Sequence, residues 1–333
     1  MLPNMTKVDA IMREVAAREV LPRFQNLSHA EIREKNPGDI VTIADEKAEA
    51  ALDERLREVI PGSRAVGEEM AARDPSSMNA LEGPDPVWII DPVDGTQNYA
   101  DGNPCFAMII AFVHSSETLA GWIYEPHRGH MVYAAKGQGA WEDGCQLRIT
   151  DGDDLSELKG SLNKRLREIL YQRQATEGLK IPSEMMRYRC VGAEYADLAR
   201  GKLDFARYMG SLKPWDHAAG ALIHAEAGGF NAYTDSMEAY MPVPPHKGRA
   251  LLMAPDRQNW KLLHELTSLI EDKREEITAW MEEKRTEVSI PIYGSVDIRD
   301  AGWKIAVVDA NHFPAGFNNV AKEDEEHLAA LLR

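Results

Sequence analysis

A mixed fold is predicted for this 333-residue chain, α+β over residues 1–150 and α/β over residues 151–270. Three observations carry it. Apolar residues recur at three- and four-residue spacings in 8–20 and 45–60; four apolar runs then follow one another across short polar connections; and from about residue 155 helical and extended patterns alternate.

Taken in order, 8–20 sets Arg13, Glu14, Arg18 and Glu19 among its apolar residues, the pattern of an amphipathic helix and not of a signal peptide. A second helix is expected over 45–60. Beyond Pro61 and Gly62 a short apolar stretch leads into Gly67-Glu68-Glu69, which places Glu68 at a strand end. The runs 87–91, 104–113, 118–125 and 130–135 read as strands of an antiparallel sheet, with connections as short as His114 to Glu117. The second half is expected to run helix 161–175, strand 187–191, helix 193–201, strand 203–209 and helix 216–227. In the last of these Ala219, Leu222, Ile223 and Ala227 form the stripe and Gly228-Gly229 the stop. A helix from Gln258 follows, and the charged run EDKREE at 271–276 is the expected boundary of a C-terminal segment, 271–333.

The stretch WIIDPVDGTQNY at 88–99 concentrates the chemistry. Trp88, Ile89 and Ile90 suit a buried strand that Pro92 and Gly95 end, which leaves Asp91 and Asp94 at its tip. Hard divalent cations take oxygen ligands, and Mg²⁺ is commonly held by a few carboxylates together with a substrate phosphate. Amides near Gly95 and Thr96, starting a helix, would favour an anion at the same point. The same residues also suit an ordinary Asp-Pro-x-Asp-Gly turn. Two further segments supply acid: Glu68 in GEE, and Asp216 in PWDHAAG at 214–220, which reads equally as a helix cap or a ligand.

Together GDIVTIAD at 38–45, GEE, WIIDPVDGTQNY and PWDHAAG resemble the inositol monophosphatase family of Mg²⁺-dependent, lithium-sensitive phosphatases, over about residues 5–270. The resemblance implies a layered αβαβα sandwich of the sugar-phosphatase type with the site between its halves. It implies a first metal at Glu68, Asp91 and the Val93 carbonyl and a second at Asp91, Asp94 and Asp216. Asp45, Thr96 and Glu68 would act on the attacking water, and Asp94, Gly95, Thr96, Gly192 and Asp216 would contact substrate. Lys35 matches a basic residue near the site. Where the inositol enzymes carry a glutamate seven residues before the Trp-Asp aspartate, this chain has Met209, read as strand core; Glu194 stands where a small residue is usual and reads as a helix-start acid. The turn lacks the Lys-Glu pair associated with nucleotide 3′-phosphatases. A small phosphorylated metabolite is therefore expected, an inositol, sugar or polyol phosphate, with histidinol phosphate or fructose 1,6-bisphosphate as alternatives on the same scaffold. A lapsed phosphatase working as an interaction module is the non-enzyme alternative.

The chemistry follows from residue type as well. Cations relieve the repulsion between a phosphoryl group and its nucleophile and stabilise the leaving alkoxide, so a metal-activated water suffices. None of Cys105, Cys145 and Cys190 has a basic partner in sequence, which leaves little for a thiol nucleophile. His217, Trp88, Trp215 and His224 read as packing residues.

A net charge of −16 argues against a nucleic-acid surface, and no apolar run reaches membrane-spanning length. Three scattered cysteines suit a reducing, cytoplasmic setting. A homodimer is expected. The C-terminal stretch, with SVDIR, AGWKIAVVDAN and FPAGFNN, is similar to the opening of a proteobacterial glutamate–cysteine ligase family. Ligase activity is not expected from it alone.

Overall fold

Asn4 starts the first helix: its side chain accepts from the Lys7 N–H at 2.9 Å, and α1 (Met5–Val15) then buries Val8, Ile11, Met12 and Val15 on one stripe. The chain continues through one π-helical turn, Ala16–Val20. A charged hairpin, β1 (Ile32–Asn36) and β2 (Asp39–Thr42), follows; hydrophobic periodicity gives no sign of it. It leads into α2 (Ile43–Val59), opened by a capping box in which Thr42 caps the Ala44 N–H and Asp45 accepts from the Thr42 backbone. This computed structural model describes residues 2–36, 38–152, 154–245 and 248–268, and the backbone alone of 295–300 and 305–311.

A seven-stranded sheet follows in sequence order: β3 (Arg64–Gly67), β4 (Val87–Asp94), β5 (Ala107–His114), β6 (Glu117–Glu125), β7 (His130–Ala135), β8 (Ala140–Glu142) and β9 (Cys145–Leu147). Only the β3–β4 pair is parallel, its connection over 68–86 carrying α3 (Glu68–Arg73) and being long enough for a crossover; the rest are short hairpins or, between β4 and β5, the brief α4 (Thr96–Ala100). The second sheet has the order β11-β10-β12-β14-β13, from β10 (Lys159–Ser161), β11 (Glu184–Met186), β12 (Phe205–Gly210), β13 (Phe230–Tyr233) and β14 (Arg249–Ala254). It is mixed: β10 pairs parallel with β11 and β12, and β14 antiparallel with β12 and β13. The helices of this half are α5 (Lys164–Glu177), α6 (Val191–Ala199), α7 (Pro214–Glu226) and α8 over 257–268.

Alternation along the strands sorts the core into three layers of side chains. Trp88, Ile90, Met108 and Ile110 pack on α1 and α2; their neighbours Ile89, Ile109 and Ala111 pack on α6 and α7 together with Tyr208, Leu251 and Met253 of the second sheet. The other face of that sheet, with Phe205, Leu252 and Ala254, meets Leu166 and Leu170 of α5 and Trp260 and Leu263 of α8. The order is therefore helix, sheet, helix, sheet, helix, as expected.

The expected strand over 187–191 is displaced to β11. Arg189 takes a left-handed φ of 59°, and the Tyr188 N–H donates to Glu194 Oε1 at 2.9 Å, so neither residue can extend a ladder. Met209, expected in the core, is 43% exposed at the end of β12. Glu194, expected at a helix start, does sit in the first turn of α6 yet is fully buried. The C-terminal segment contributes an antiparallel pair, β15 (Ser295–Asp300) with β16 (Ile305–Asn311); the remainder of that reading lies outside the described residues.

Helix α7 is clamped on two sides, and this sets the position of its first turn. A Cβ on Gly121 of β6 would stand 2.8 Å from Ala219 Cα, and one on Gly220 would stand 2.1 Å from the Tyr195 ring of α6. Gly220→Ala must push the two helices apart, and overpacking of this kind costs ~1–3 kcal/mol; urea titration should show a lowered midpoint with an unchanged slope. His224, in the same helix and 0% exposed, is pushed by burial down to about 3 from an ordinary 6.5. The unfolded chain then takes up this proton first, so stability falls as pH drops from about 6.5 towards about 3, with a slope of up to ~1.4 kcal/mol per pH unit. In His224→Gln the loss across that window should be shallower, read by urea titrations at successive pH values.

Candidate active site

The two aspartates of β4 share a face because the strand is irregular between them. Asp91 pairs with Ile109 and Asp94 with Ala107, so Pro92 and Val93 together oppose the single residue Met108. In a regular strand residues three apart point to opposite faces; the extra residue of a bulge restores the same face. Proline is tolerated there because the ladder to β3 ends at Gly67 and Ile90, one pair before any N–H from residue 92 would be needed. The expected Pro92 turn is thus a bulge, and β4 runs through Asp94. Gly95 then adopts φ 84°, where a Cβ would approach Cys105 O and Cys190 Cβ at 3.1 Å each, so only glycine fits this turn into α4. With five residues α4 has little macrodipole, and the N–H groups of its first turn are what it offers an anion.

Three elements bring four acids to this point. Glu68 begins α3 at the end of β3, Asp91 and Asp94 come from β4, and Asp216 is the third residue of α7, inside the helix and not its cap; Lys213 occupies the cap position and Pro214 the first turn. Asp91 and Asp94 are 1% and 7% exposed, while Glu68 and Asp216 are half-buried at the mouth. Burial, then the charges of Glu68, Asp94, Asp216 and Asp45, hold the Asp91 carboxyl well above the usual carboxylate range. Burial and the charges of Glu68 and Asp94 do the same for Asp216. These carboxylates feel one another across a common space.

Asp94 Oδ2 is held by the Gly192 N–H at 2.6 Å and the Cys190 thiol at 3.0 Å, so the predicted Gly192 amide is already engaged by the acid. Lys35 Nζ donates to Glu68 and Glu69, each at 2.9 Å. Asp45, 0% exposed, accepts from the Thr42 backbone and hydroxyl through Oδ2, and its Oδ1 faces Thr96 Oγ1 at 3.3 Å. Thr96 Oγ1 is also 2.9 Å from Val93 O. Burial pushes Asp45 up to about 7, against the lowering effect of the Thr42 bonds. His217 donates or accepts with Tyr195 OH at 3.1 Å and is 3% exposed, a packing residue as expected, and Trp88 and Trp215 are buried.

Sequence reading missed three supports of the site. Cys190 touches Asp94 across a gap of ninety-six residues, beyond any local signal. Glu69 is more buried than Glu68 and shares its lysine. Glu49, one turn beyond Asp45 in α2, accepts from the Glu69 N–H at 2.7 Å, and a Cβ on Gly67 would meet its Oε2 at 2.1 Å; the four-residue spacing from Asp45 was the available hint.

The donor set at the site, carboxylate and carbonyl oxygen throughout, suits a hard cation such as Mg²⁺. The four acids are not drawn into one tight group, however, and Glu68 is turned onto Lys35. Among the described residues the group whose ligand atoms all lie within 4.8 Å of one another is elsewhere, at His130, Glu142 and Asp143. There Asp143 already pairs with Arg13, and Glu142 with Arg200. No helix among the described residues is long and apolar enough to cross a membrane.

Known proteins agree with this architecture. Residues 267–333 match the glutamate–cysteine ligase family. A fructose-1,6-bisphosphatase/inositol-1-monophosphatase of Aquifex aeolicus is 30% identical over 210 residues, 62% of this chain and 76% of that one. The Nus factor SuhB of Escherichia coli is 31% identical over 223 residues, 64% of this chain and 79% of that one. A solved structure of a Thermotoga maritima IMPase superposes with a TM-score of 0.65 at 25% identity, covering 82% of this chain and all of that one. Residues 1–274 match the inositol monophosphatase family, and the chain belongs to that family of phosphatases.

Proposed function

We propose that the chain hydrolyses a small phosphate monoester with Mg²⁺, using Glu68, Asp91, the Val93 carbonyl, Asp94 and Asp216 as the oxygen ligands. The observation that carries this reading is the approach of four carboxylates from three elements, of which Asp91, Asp94 and Asp216 have their proton affinity raised by burial and by acidic neighbours, so that the site lacks positive charge to balance them. Bound Mg²⁺ would supply that balance, lower the pKa of a water and screen the phosphoryl oxygens. The rest is the work of the chain. A Thr96 hydroxyl that donates to Asp45 presents its lone pairs to an attacking water and orients it. Asp45, with one oxygen fixed by Thr42 and a proton affinity near neutrality, is matched to receive a proton through Thr96. Glu68, set by Lys35, would act on the same water. The first-turn N–H groups at Gly95 and Thr96 receive phosphate oxygens. Gly192 serves the substrate by fixing Asp94.

Residues 1–270 form the phosphatase unit in this reading, and all the ligands named above lie within them. Lithium sensitivity, a dimer and a cytoplasmic setting go with the family reading. Kinship with a protein named as a Nus factor favours an additional interaction role, yet the intact acids favour catalysis.

Phosphate release from a panel of small esters should require Mg²⁺ and cease with EDTA; equal release in both conditions would rule out the metal reading. Asp91→Asn should lose turnover by at least about a hundredfold at saturating Mg²⁺, since an amide cannot bring the charge of a bridging carboxylate. In metal-free protein the same substitution removes a buried charge repelled by its acidic neighbours, so it should raise stability at the pH values where Asp91 would be ionised. Turnover within a few-fold of wild type would exclude Asp91 as a bridging ligand. Urea titration in EDTA checks the stability.

A further inference from the structure

Glu49 of α2 is 2% exposed and has no part in the hydrolysis, yet its carboxylate lies against the segment that delivers Glu68. Its two oxygens meet the six-residue helix α3 at both ends. Oε2 accepts from the Glu69 N–H at 2.7 Å in the first turn, and Oε1 stands 3.3 Å from the guanidinium of Arg73, the last residue. A helix this short does not hold itself in water, and Gly67 at its cap has no side chain to satisfy the first turn. Glu49 supplies the cap from another helix.

Gly67 is required for this approach and not for its own backbone angles, since its φ of −103° is open to any residue. A Cβ there would run into Oε2, Cδ and Cγ of Glu49, its three nearest atoms. The acid and the chain before Glu68 are thus in direct contact. Burying a carboxylate with a largely exposed arginine as its ion pair is costly for stability alone. What the acid adds over an apolar residue is a fixed position for 67–69.

Asp45 lies four residues earlier on the same face of α2. It faces Thr96 Oγ1, which in turn touches the Val93 carbonyl. One helix therefore reaches both the segment that carries Glu68 and the carbonyl proposed to share a cation with it. Lys35 restrains the Glu68 side chain, while Glu49 restrains the backbone from which that side chain springs.

We infer that Glu49 is a positioning residue for metal binding: by capping α3 it fixes where Glu68 stands relative to Asp91 and the Val93 carbonyl, and so sets the affinity of the site for a divalent cation. The inference rests on the metal reading of that site.

The test uses the full chain and reads Mg²⁺ binding by calorimetry with the metal alone, beside the Mg²⁺ dependence of phosphate release. Glu49→Ala should weaken Mg²⁺ binding about tenfold or more, the scale expected when a group that orients a ligand is lost, and raise the half-activating Mg²⁺ concentration by the same factor. Turnover at saturating Mg²⁺ should stay within about threefold, because the ligands themselves remain. Glu49→Gln keeps an oxygen for the Glu69 N–H and should restore most of the affinity. Gly67→Ala should weaken binding in the presence of Glu49 and add little in the Glu49→Ala background, where the group it strikes is gone. Leu56→Ala, which opens a cavity in the same helix within the core beneath α1, should lower the urea midpoint and leave Mg²⁺ affinity unchanged. Wild-type affinity in Glu49→Ala, additive losses in the double variant, or an equal loss of affinity in Leu56→Ala overturns the inference. A wild-type chain that neither binds Mg²⁺ nor responds to it overturns the metal reading, and the inference with it.

Discussion

The bulge at Pro92 and Val93 is the constraint on which the site depends. Without the extra residue Asp91 and Asp94 would project from opposite faces of the first sheet, one towards α2 and one towards α7. With it both face the α6–α7 layer, where Asp216 arrives from the first turn of α7 and Gly192 from the first turn of α6. The bulge also sends Val93 to the opposite side, into the core beneath α1 and α2. One inserted residue thus joins the two halves of the sandwich chemically as well as sterically.

Concentrating acids in this way opposes folding, and the neighbouring structure offsets part of the cost. Lys35 bridges Glu68 and Glu69, while Asp94 is solvated by a thiol and an amide in place of water. Asp45 is fixed by the same Thr42 that starts its helix, so one capping box both opens α2 and holds a buried acid beside Thr96. Arg200, buried with Glu125 and Asp197, ties β6 to α6 in similar fashion. Position is then secured by close backbone contacts at Gly121 and Gly220, where helix α7 has no freedom to retreat.

The chain combines this phosphatase architecture with a segment from a second family, beginning where α8 ends its described course. Every residue to which chemistry is assigned lies before residue 217. The added segment contributes a strand pair of its own, Ser295–Asp300 with Ile305–Asn311, which satisfies its backbone locally.

Sequence by itself determined the layered mixed fold and the acids. Long periodic segments such as 8–20 and 45–60 announce helices because a one-sided stripe is needed to bury them, and WIIDPVDGTQNY, GEE and PWDHAAG are short enough to carry their residue types and spacing intact. Short or charged strands such as Ile32–Asn36 and Cys145–Leu147 left no such stripe, since their pairing partners and not their own apolarity make them strands. Only the tertiary structure decided that Pro92 sits in a bulge, that Cys190 and Gly192 hold Asp94, that Glu194 is buried under Arg187, and that Met209 faces solvent. The reason is physical: burial, register and charge pairing are properties of what a residue meets across the fold, and residues separated by ninety or more positions meet only after both sheets and the helices between them have packed.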